Sequence, residues 1–500
     1  MNLLKKSWPF IFLTALSLII HFSFLSYPSQ VVFDEVHFGK FAAAYSTGQY
    51  YFDIHPPLGK LMIAGFTKLA GIDPVFDFNN IGENMPAGTL FAMRFLPALF
   101  GALFVLAFSW LAWLATRDKK IALLAGFLIL LDNAFLVQSK FILVDIFMLF
   151  FEVLTLCFFF LWQRQKSFGA KWFSYLFLTA IFFGLTISIK WTGLATIGII
   201  GVILFIKIFS KKISIYLSHP EPPVGGEGSL IDSSASTEFM LSETNVLGLR
   251  MTKLNLLKEW LVGFSAIILI GFLVYLIPFY IHFDLLPNSG PGDAFMSPQF
   301  RQELQYGRAN VYQPLPFWQK FTELNKTMYT ASTNLTTEHP FGSKWYSWPL
   351  NSKPVYYWNR DEIASRPDWQ AKIFFSGNPA IWLIAAIGII FVLIKLATKK
   401  GRRDFGPFFF ILLIAYFANL LPFIFIKRVA FLYHYLPPAI YANFILTLLL
   451  AKLWPKEKNF FTAAIIFVIL GFILLSPLSY GWPMPPKLDW AETNFIGLFH

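Results

Sequence analysis

The chain has one cysteine, Cys157, set in the apolar run "CFFFLW", so a disulfide framework and a cysteine-based metal site are both excluded. Charge is scarce too: only 14% of the 500 residues are Asp, Glu, Lys or Arg. A soluble domain of ordinary make-up carries about a quarter, which excludes a water-facing globule over most of this length. What fills the chain instead is 56% hydrophobic and 19% aromatic, with 60 Phe and 16 Trp. Its mean hydropathy is +0.58, the make-up of a chain that lives in a bilayer among membrane lipids. Acidic residues are the rarer sign, 28 against 40 basic, and a net charge of +12 raises nucleic acid as a partner. The basic residues sit in short clusters between apolar runs, where they orient membrane spans, and no nucleic-acid partner is expected.

A spanning helix needs ~20 mostly apolar residues, and scanning at that length gives about eleven candidates. They lie near 8–26, 89–115, 121–137, 141–162, 173–189, 193–210, 259–281, 379–397, 405–426, 433–453 and 460–478. The expected fold is an all-α polytopic membrane protein. With a cytoplasmic N-terminus, Lys5 and Lys6, "RDKK", "RQK", "KK", "KKGRR" and "KEK" all fall inside, as the positive-inside rule requires. No small-residue cleavage site follows "HFSFLSYPSQ", so the first run is expected to be a span and not a cleaved signal peptide.

The chain then divides into a first span (1–26), a first outer loop (27–88), spans two to six (89–210) and a cytoplasmic loop (211–258). A seventh span (259–281), a large outer loop (282–378), spans eight to eleven (379–478) and an outer tail (479–500) follow. The cytoplasmic loop contains "HPEPPVGGEGSLIDSSASTE", whose Pro, Gly, Ser and Glu cannot form a core, and disorder is expected there. In the first outer loop, "FGKFAAAYSTGQYY" patterns as a helix ending near Gly48, and "PPLGKLMIAGFTKLAGI" as a second amphipathic helix opened by Pro-Pro. No internal repeat appears beyond the alternation of apolar runs, which weighs against a repeat-built transporter.

On this topology the polar residues are biased to one side. Asp34, Glu35, His37, Lys40, Asp53, His55, Lys60, Arg94, Asp132, Lys140, Asp145, Lys190, His339, Lys427, Arg428 and His434 all fall outside, several within or at the ends of helices. Charge at membrane depth is costly and usually functional. Each residue also has a plain structural reading. Asp34, in "VVFDEVHFGK", could cap the next helix with Glu35 favouring its dipole. Arg94 and Lys190 could snorkel, and Asp145 could pair locally with Lys140 or Lys190.

Carboxylates and several cations around one outer cavity suit glycosyl transfer from a polyprenyl-phosphate sugar. A phosphate leaves as a stable anion, so it needs cations and hydrogen-bond donors and no general acid. A hydroxyl acceptor needs a carboxylate base on the opposite face of the sugar. The motifs point the same way. "FDEVHFGKFAAAYSTGQYYFDIHPPLGKL", "LDNAFLVQSKFILVDIFMLFF", "GLTISIKWTGL", "EHPFGSKWYSWPL", "GNPAIW" and "FLYHYLPPA" resemble, in order, those of the protein O-mannosyltransferase family of the C-type glycosyltransferase superfamily. That resemblance implies a C-type fold and an inverting transfer of mannose from polyprenyl-phosphate mannose to Ser or Thr of a secreted or envelope protein, in association with the secretion machinery. It also implies an active site on the extracytoplasmic side of the plasma membrane.

The resemblance further implies Asp34 as the acceptor-activating base, Glu35 as its supporting neighbour, Arg94 as a contact for the donor phosphate, and no metal or other cofactor. Lys60, Lys140, Lys190 and Arg428 are further phosphate candidates, while His55, Asp132, Asp145, His339, Lys344, Trp345 and His434 are placed in the sugar and acceptor region. Lys140 stands where the family usually has Arg, losing a bidentate fork. The segment 282–378 is too short for the β-trefoil insert of eukaryotic members, so a bacterial type is expected. A related transferase acting on a lipid or envelope glycan stays open at this point, as does a transporter. Oxygen ligation of a divalent cation by Asp34, Glu35, Asp132 and Asp145 is the alternative to a metal-free site.

Overall fold

A computed structural model describes residues 2–73, 76–210, 213, 217, 253–334, 338–360 and 368–488. The expectation of disorder over 211–258 falls mostly outside these residues, as does most of the tail. In chain order the helices are α1 (Asn2–Phe22), α2 (Glu35–Thr47), α3 (Leu58–Leu69), α4 (Ala87–Thr116), α5 (Lys119–Leu130), α6 (Asn133–Lys140), α7 (Asp145–Gln163), α8 (Ala170–Ile187) and α9 (Ala195–Phe209). After the undescribed stretch come α10 (Lys253–Leu285), α11 (Pro298–Tyr306), α12 (Phe317–Asn334), the strands β1 (Val355–Arg360) and β2 (Ala371–Phe375), then α13 (Pro379–Ala397), α14 (Lys399–Leu420), α15 (Leu436–Leu453) and α16 (Lys458–Tyr480).

Among the described residues, nine helical stretches are long and apolar enough to cross a membrane, and a shorter apolar helix covers Trp8–Phe22. The third apolar run differs from its expected form. It is two helices, α5 and α6, bent by 61°. The reason is Asp132, which caps α6 by accepting from the backbone N–H of Ala134 and so ends α5 inside the bundle. Backbone groups freed at such a break must find partners away from lipid. Here Asn378 Nδ2 donates to the carbonyl of Leu131 at 2.8 Å.

The seventh span is longer than expected. Helix α10 has 33 residues, about 50 Å at 1.5 Å per residue, so it outruns a hydrocarbon core of ~30 Å and gives the large loop something to pack on. That loop is structured. Helix α12 buries Lys320, Phe321, Leu324 and Met328 at helical spacing and sets Phe321 against Phe279 of α10, ring centroids 5.1 Å apart. Strands β1 and β2 form an antiparallel pair with an irregularity between Tyr356 and Trp358. Among the described residues the other regular elements are helices.

The loops that follow α1 and α10 are joined into one cap. Tyr50 N–H donates to Asn288 O at 2.9 Å and Gly292 N–H to Tyr50 O at 3.0 Å. This contact requires glycine: a Cβ on Gly290 would lie 2.3 Å from Tyr50 O, and one on Gly292 2.4 Å from Tyr51 C. The clasp fixes the segment leading into "DIHPP". Helix α2 ends at Gly48, whose φ of 71° is the left-handed cap that glycine supplies at no steric cost.

Candidate active site

Asp34 sits at the N-cap position of α2, yet its side chain makes no capping hydrogen bond. The capping reading therefore has no contact behind it. The carboxyl instead lines a cleft of about 200 Å³ together with His37, Phe38, Phe41, Phe52, Asp53, Ile54 and His55. The residue before it, Phe33, adopts a φ of 45°, a strained region for a bulky side chain. It is held there by Phe33 N–H donating to Tyr357 O at 3.1 Å and by stacking on the Tyr357 ring at 4.0 Å. The hairpin of the second loop thus aims the first loop's carboxylate. Burial raises the Asp34 carboxyl to about 7; Lys190 pulls it down, while Asp145 and Asp53 push it up. A base titrating near the working pH is well matched to taking a proton from a hydroxyl.

Glu35 points the other way. Its side chain and that of Arg94 are each 0% exposed. Arg94 Nε and Nη2 donate to Glu35 Oε1 and Oε2, both at 2.7 Å. The remaining Arg94 N–H groups reach the carbonyls of Leu25, Pro28 and Gln30. Glu35 also accepts from Val32 N–H at 2.8 Å and Ile142 N–H at 3.0 Å. Guanidinium has five N–H donors, and all five are engaged. Arg94 as the donor-phosphate contact is thereby corrected: no N–H remains to meet a phosphate, and the pair instead pins the loop that carries Asp34. Glu35, expected among the catalytic residues, acts through that pin and does not line the cleft.

Two further expectations change. Lys140 is buried and donates to Ser23 O and Phe24 O at 2.8 and 3.1 Å, with its ammonium 4.7 Å from the Tyr480 ring centre; it closes the end of α1 and is no phosphate contact. Asp132 is buried and accepts from Ala134 N, Asn378 N, Trp382 Nε1 and Asn443 Nδ2, so it is a joint between spans and lies outside the sugar region. The oxygens of Glu35 and Asp132 are directed to these partners, and among the described residues no group of three or more His, Cys, Asp or Glu is placed to hold a metal.

The other candidates gather around the cleft or behind it. Lys190 Nζ contacts both oxygens of Asp145 at 2.7 and 2.8 Å. Asp145 also accepts from Gln138, whose Oε1 takes the hydroxyl of Tyr357. Lys60 Nζ donates to Asp53 at 2.5 Å and to His55 O at 2.7 Å; it serves the cleft from behind. Burial holds the His55 imidazole well below its usual range, and Lys190, Lys60, Arg428 and His434 press in the same direction, leaving it neutral.

Arg428 is a cation with donors to spare. Nη1 donates to Ser332 Oγ at 3.1 Å and Nη2 meets His434 Nε2 at 3.2 Å, leaving the other N–H groups without a partner among the described residues. Tyr433 lies within electrostatic reach of both Asp34 and Arg428. His339, Lys344 and Trp345 flank the Arg428 side outside the cleft lining: Ser343 N–H donates to Ala430 O, and the His339 ring meets Phe431 edge-on at 5.0 Å. Sequence reasoning placed Asp53 in the one-sided polar cluster without giving it a role, and missed Tyr357, Gln138 and Ser332 as parts of the site. Only Asp53 carried a signal, two residues before His55 in "DIHPPLGK".

The described bundle superposes on a chain of the Saccharomyces cerevisiae protein O-mannosyltransferase Pmt1-Pmt2 complex bound to the sugar donor. The TM-score is 0.81 over 99% of this chain and 92% of that one, at 19% identity. ArnT from Cupriavidus metallidurans bound to undecaprenyl phosphate matches with a TM-score of 0.50 over 94% of this chain and 65% of that one, at 15% identity. The architecture is the C-type glycosyltransferase fold. Residues 11–287 match the family model described as dolichyl-phosphate-mannose-protein mannosyltransferase, and residues 317–496 the C-terminal four-span region of protein O-mannosyltransferase. The chain belongs to the protein O-mannosyltransferase family. Its relatives include dolichyl-phosphate-mannose–protein mannosyltransferase 4 of Schizosaccharomyces pombe, 33% identical over 304 residues, 60% of this chain and 35% of that relative. Mannosyltransferase 1 of Saccharomyces cerevisiae is 30% identical over 59% of this chain and 32% of its own length. The chain thus spans about a third of the length of these relatives.

Proposed function

We propose that this chain is an inverting protein O-mannosyltransferase that moves mannose from polyprenyl-phosphate mannose to Ser or Thr hydroxyls of a translocated secreted or envelope protein, at the extracytoplasmic face of the plasma membrane. Family membership supports the donor and the acceptor class. The observation that carries the reading is Asp34, uncapped in a cleft beside Lys190 and Asp145, with Arg428 offering unengaged N–H groups on the same cap.

In this reading the acceptor hydroxyl enters the cleft and gives its proton to Asp34 while its oxygen bonds to the anomeric carbon. The bond from that carbon to the phosphate oxygen breaks on the opposite side, inverting the configuration. Polyprenyl phosphate leaves as an anion beside Arg428, with Lys190 adding positive potential from behind Asp145. The proton on Asp34 returns to water through the open cleft. Protein side chains supply all the positive charge, so the reaction is metal-independent and survives EDTA.

Purified protein in lipid nanodiscs, given polyprenyl-phosphate mannose and a Ser/Thr-rich peptide, tests this by mass spectrometry of the peptide and NMR of the anomeric centre. The reading requires one mannose with inverted configuration. Mannose recovered only on a lipid or a glycan, or a retained configuration, overturns it.

A further inference from the structure

Asp53 is the cleft carboxylate to which the mechanism gives no task. Its Oδ2 is fixed by Lys60 Nζ at 2.5 Å, and Lys60 is 1% exposed and tied by a second bond to His55 O. The pair is therefore rigid and shielded from screening by salt. Oδ1 meets no donor among the described residues, and Asp53 lines the same cleft as Asp34. A carboxylate is acceptor-only, so an oxygen held open in a cleft calls for a ligand that donates. The walls beside it are aromatic and themselves braced, Phe41 stacked on Tyr51 at 4.5 Å and Phe52 on Phe295 at 4.4 Å. An apolar face beside a fixed acceptor suits a ring with C–H groups on one side and hydroxyls at its edge, which describes a hexose.

Resting on the transferase reading above, we propose that Asp53 reads the transferred sugar: Oδ1 accepts one ring hydroxyl of the hexose and so selects the sugar, while Asp34 alone takes the acceptor's proton. Lys60 is the positioning residue for Asp53. The clasp of Gly290 and Gly292 on Tyr50 and Tyr51 holds the backbone that presents it.

The test compares the mannosyl donor with analogues lacking one ring hydroxyl at a time, in the full-length wild-type protein and in Asp53→Ala/Lys60→Met, which removes the buried pair together and leaves no unpaired ammonium. In wild type one deoxy donor loses about 10- to 100-fold in kcat/KM, the range for a hydrogen bond to a charged group. In the double variant the mannosyl donor falls by a similar factor, the same deoxy donor falls no further, and the pH limb set by Asp34 is kept, displaced only toward lower pH because Asp53 no longer pushes that carboxyl up. Equal deoxy penalties in both proteins overturn the proposal, as does loss of the pH limb in the variant, which would make Asp53 the base. If the double variant does not fold, the wild-type series decides, because no penalty above about threefold for any analogue also overturns it. No mannose transfer by wild type from any donor is a different result, and it removes the transferase reading itself.

Discussion

Arg94→Met is expected to remove stability and to leave donor binding nearly intact. The substitution strips Glu35 of both 2.7 Å contacts and leaves its carboxylate, 0% exposed, with only the N–H groups of Val32 and Ile142. Removing one partner of a buried ion pair costs about 3 to 5 kcal/mol, because the other charge stays behind without compensation. The carbonyls of Leu25, Pro28 and Gln30 lose donors as well, adding on the order of 1 kcal/mol each where water cannot replace them. Adding Glu35→Gln removes the stranded charge, so the double variant should recover about 2 kcal/mol relative to the sum of the singles, a coupling in the range for contacting residues. Intrinsic tryptophan fluorescence during thermal unfolding in detergent reads stability, and calorimetry with polyprenyl phosphate at low temperature reads binding. A wild-type unfolding profile with binding reduced tenfold or more would refute the reasoning and return Arg94 to the phosphate.

Three other outcomes are expected. Arg428→Ala should reduce transfer by about 10² to 10³-fold, the effect of removing one preorganised donor from a developing anion, with unfolding temperature nearly unchanged because the side chain is only partly buried. Lys140→Met should lower stability through loss of the α1 contacts to Ser23 and Phe24 and leave donor affinity as it was, measured by the same pair of assays. Asp34, raised to about 7, should give kcat/KM a limb near that pH, with activity falling as pH drops and the base protonates. Because the folded value lies above the unfolded one of about 3.9, ionisation opposes folding. The stability is full below about pH 4 and is lost as pH rises to about 7. Unfolding curves should therefore show Asp34→Asn gaining on wild type over that window by about 1 to 3 kcal/mol and holding the gain at higher pH.

Nine of the eleven expected spans were legible among the described residues because each is a long apolar run, and the boundaries of α13 coincide with the expected 379–397. The bend at Asp132 was not, since a lone carboxylate in an apolar run says nothing of Asn378, Trp382 and Asn443, which reach it from about 250 to 310 residues away in sequence. The same limit governed Arg94. Burial of an arginine at membrane depth was visible as a cost, but its partner Glu35 lies 59 residues back, and a single sequence cannot choose between a phosphate and a carboxylate as the compensating charge. Asp34 was legible as an acid next to an interfacial helix. What aims it, the Phe33 backbone held by Tyr357, comes from a short strand more than 320 residues away whose sequence, VYYWNR, does not name its partner.

The account stands most directly on mannose transfer to a Ser/Thr peptide by purified Asp34→Asn, measured beside its affinity for polyprenyl phosphate. Asn keeps the shape and still serves as an N-cap as well as Asp does, but it cannot accept the proton. The account predicts a fall in transfer of about 10²-fold or more with lipid-phosphate affinity and folding retained. Transfer at the wild-type rate by Asp34→Asn would contradict it.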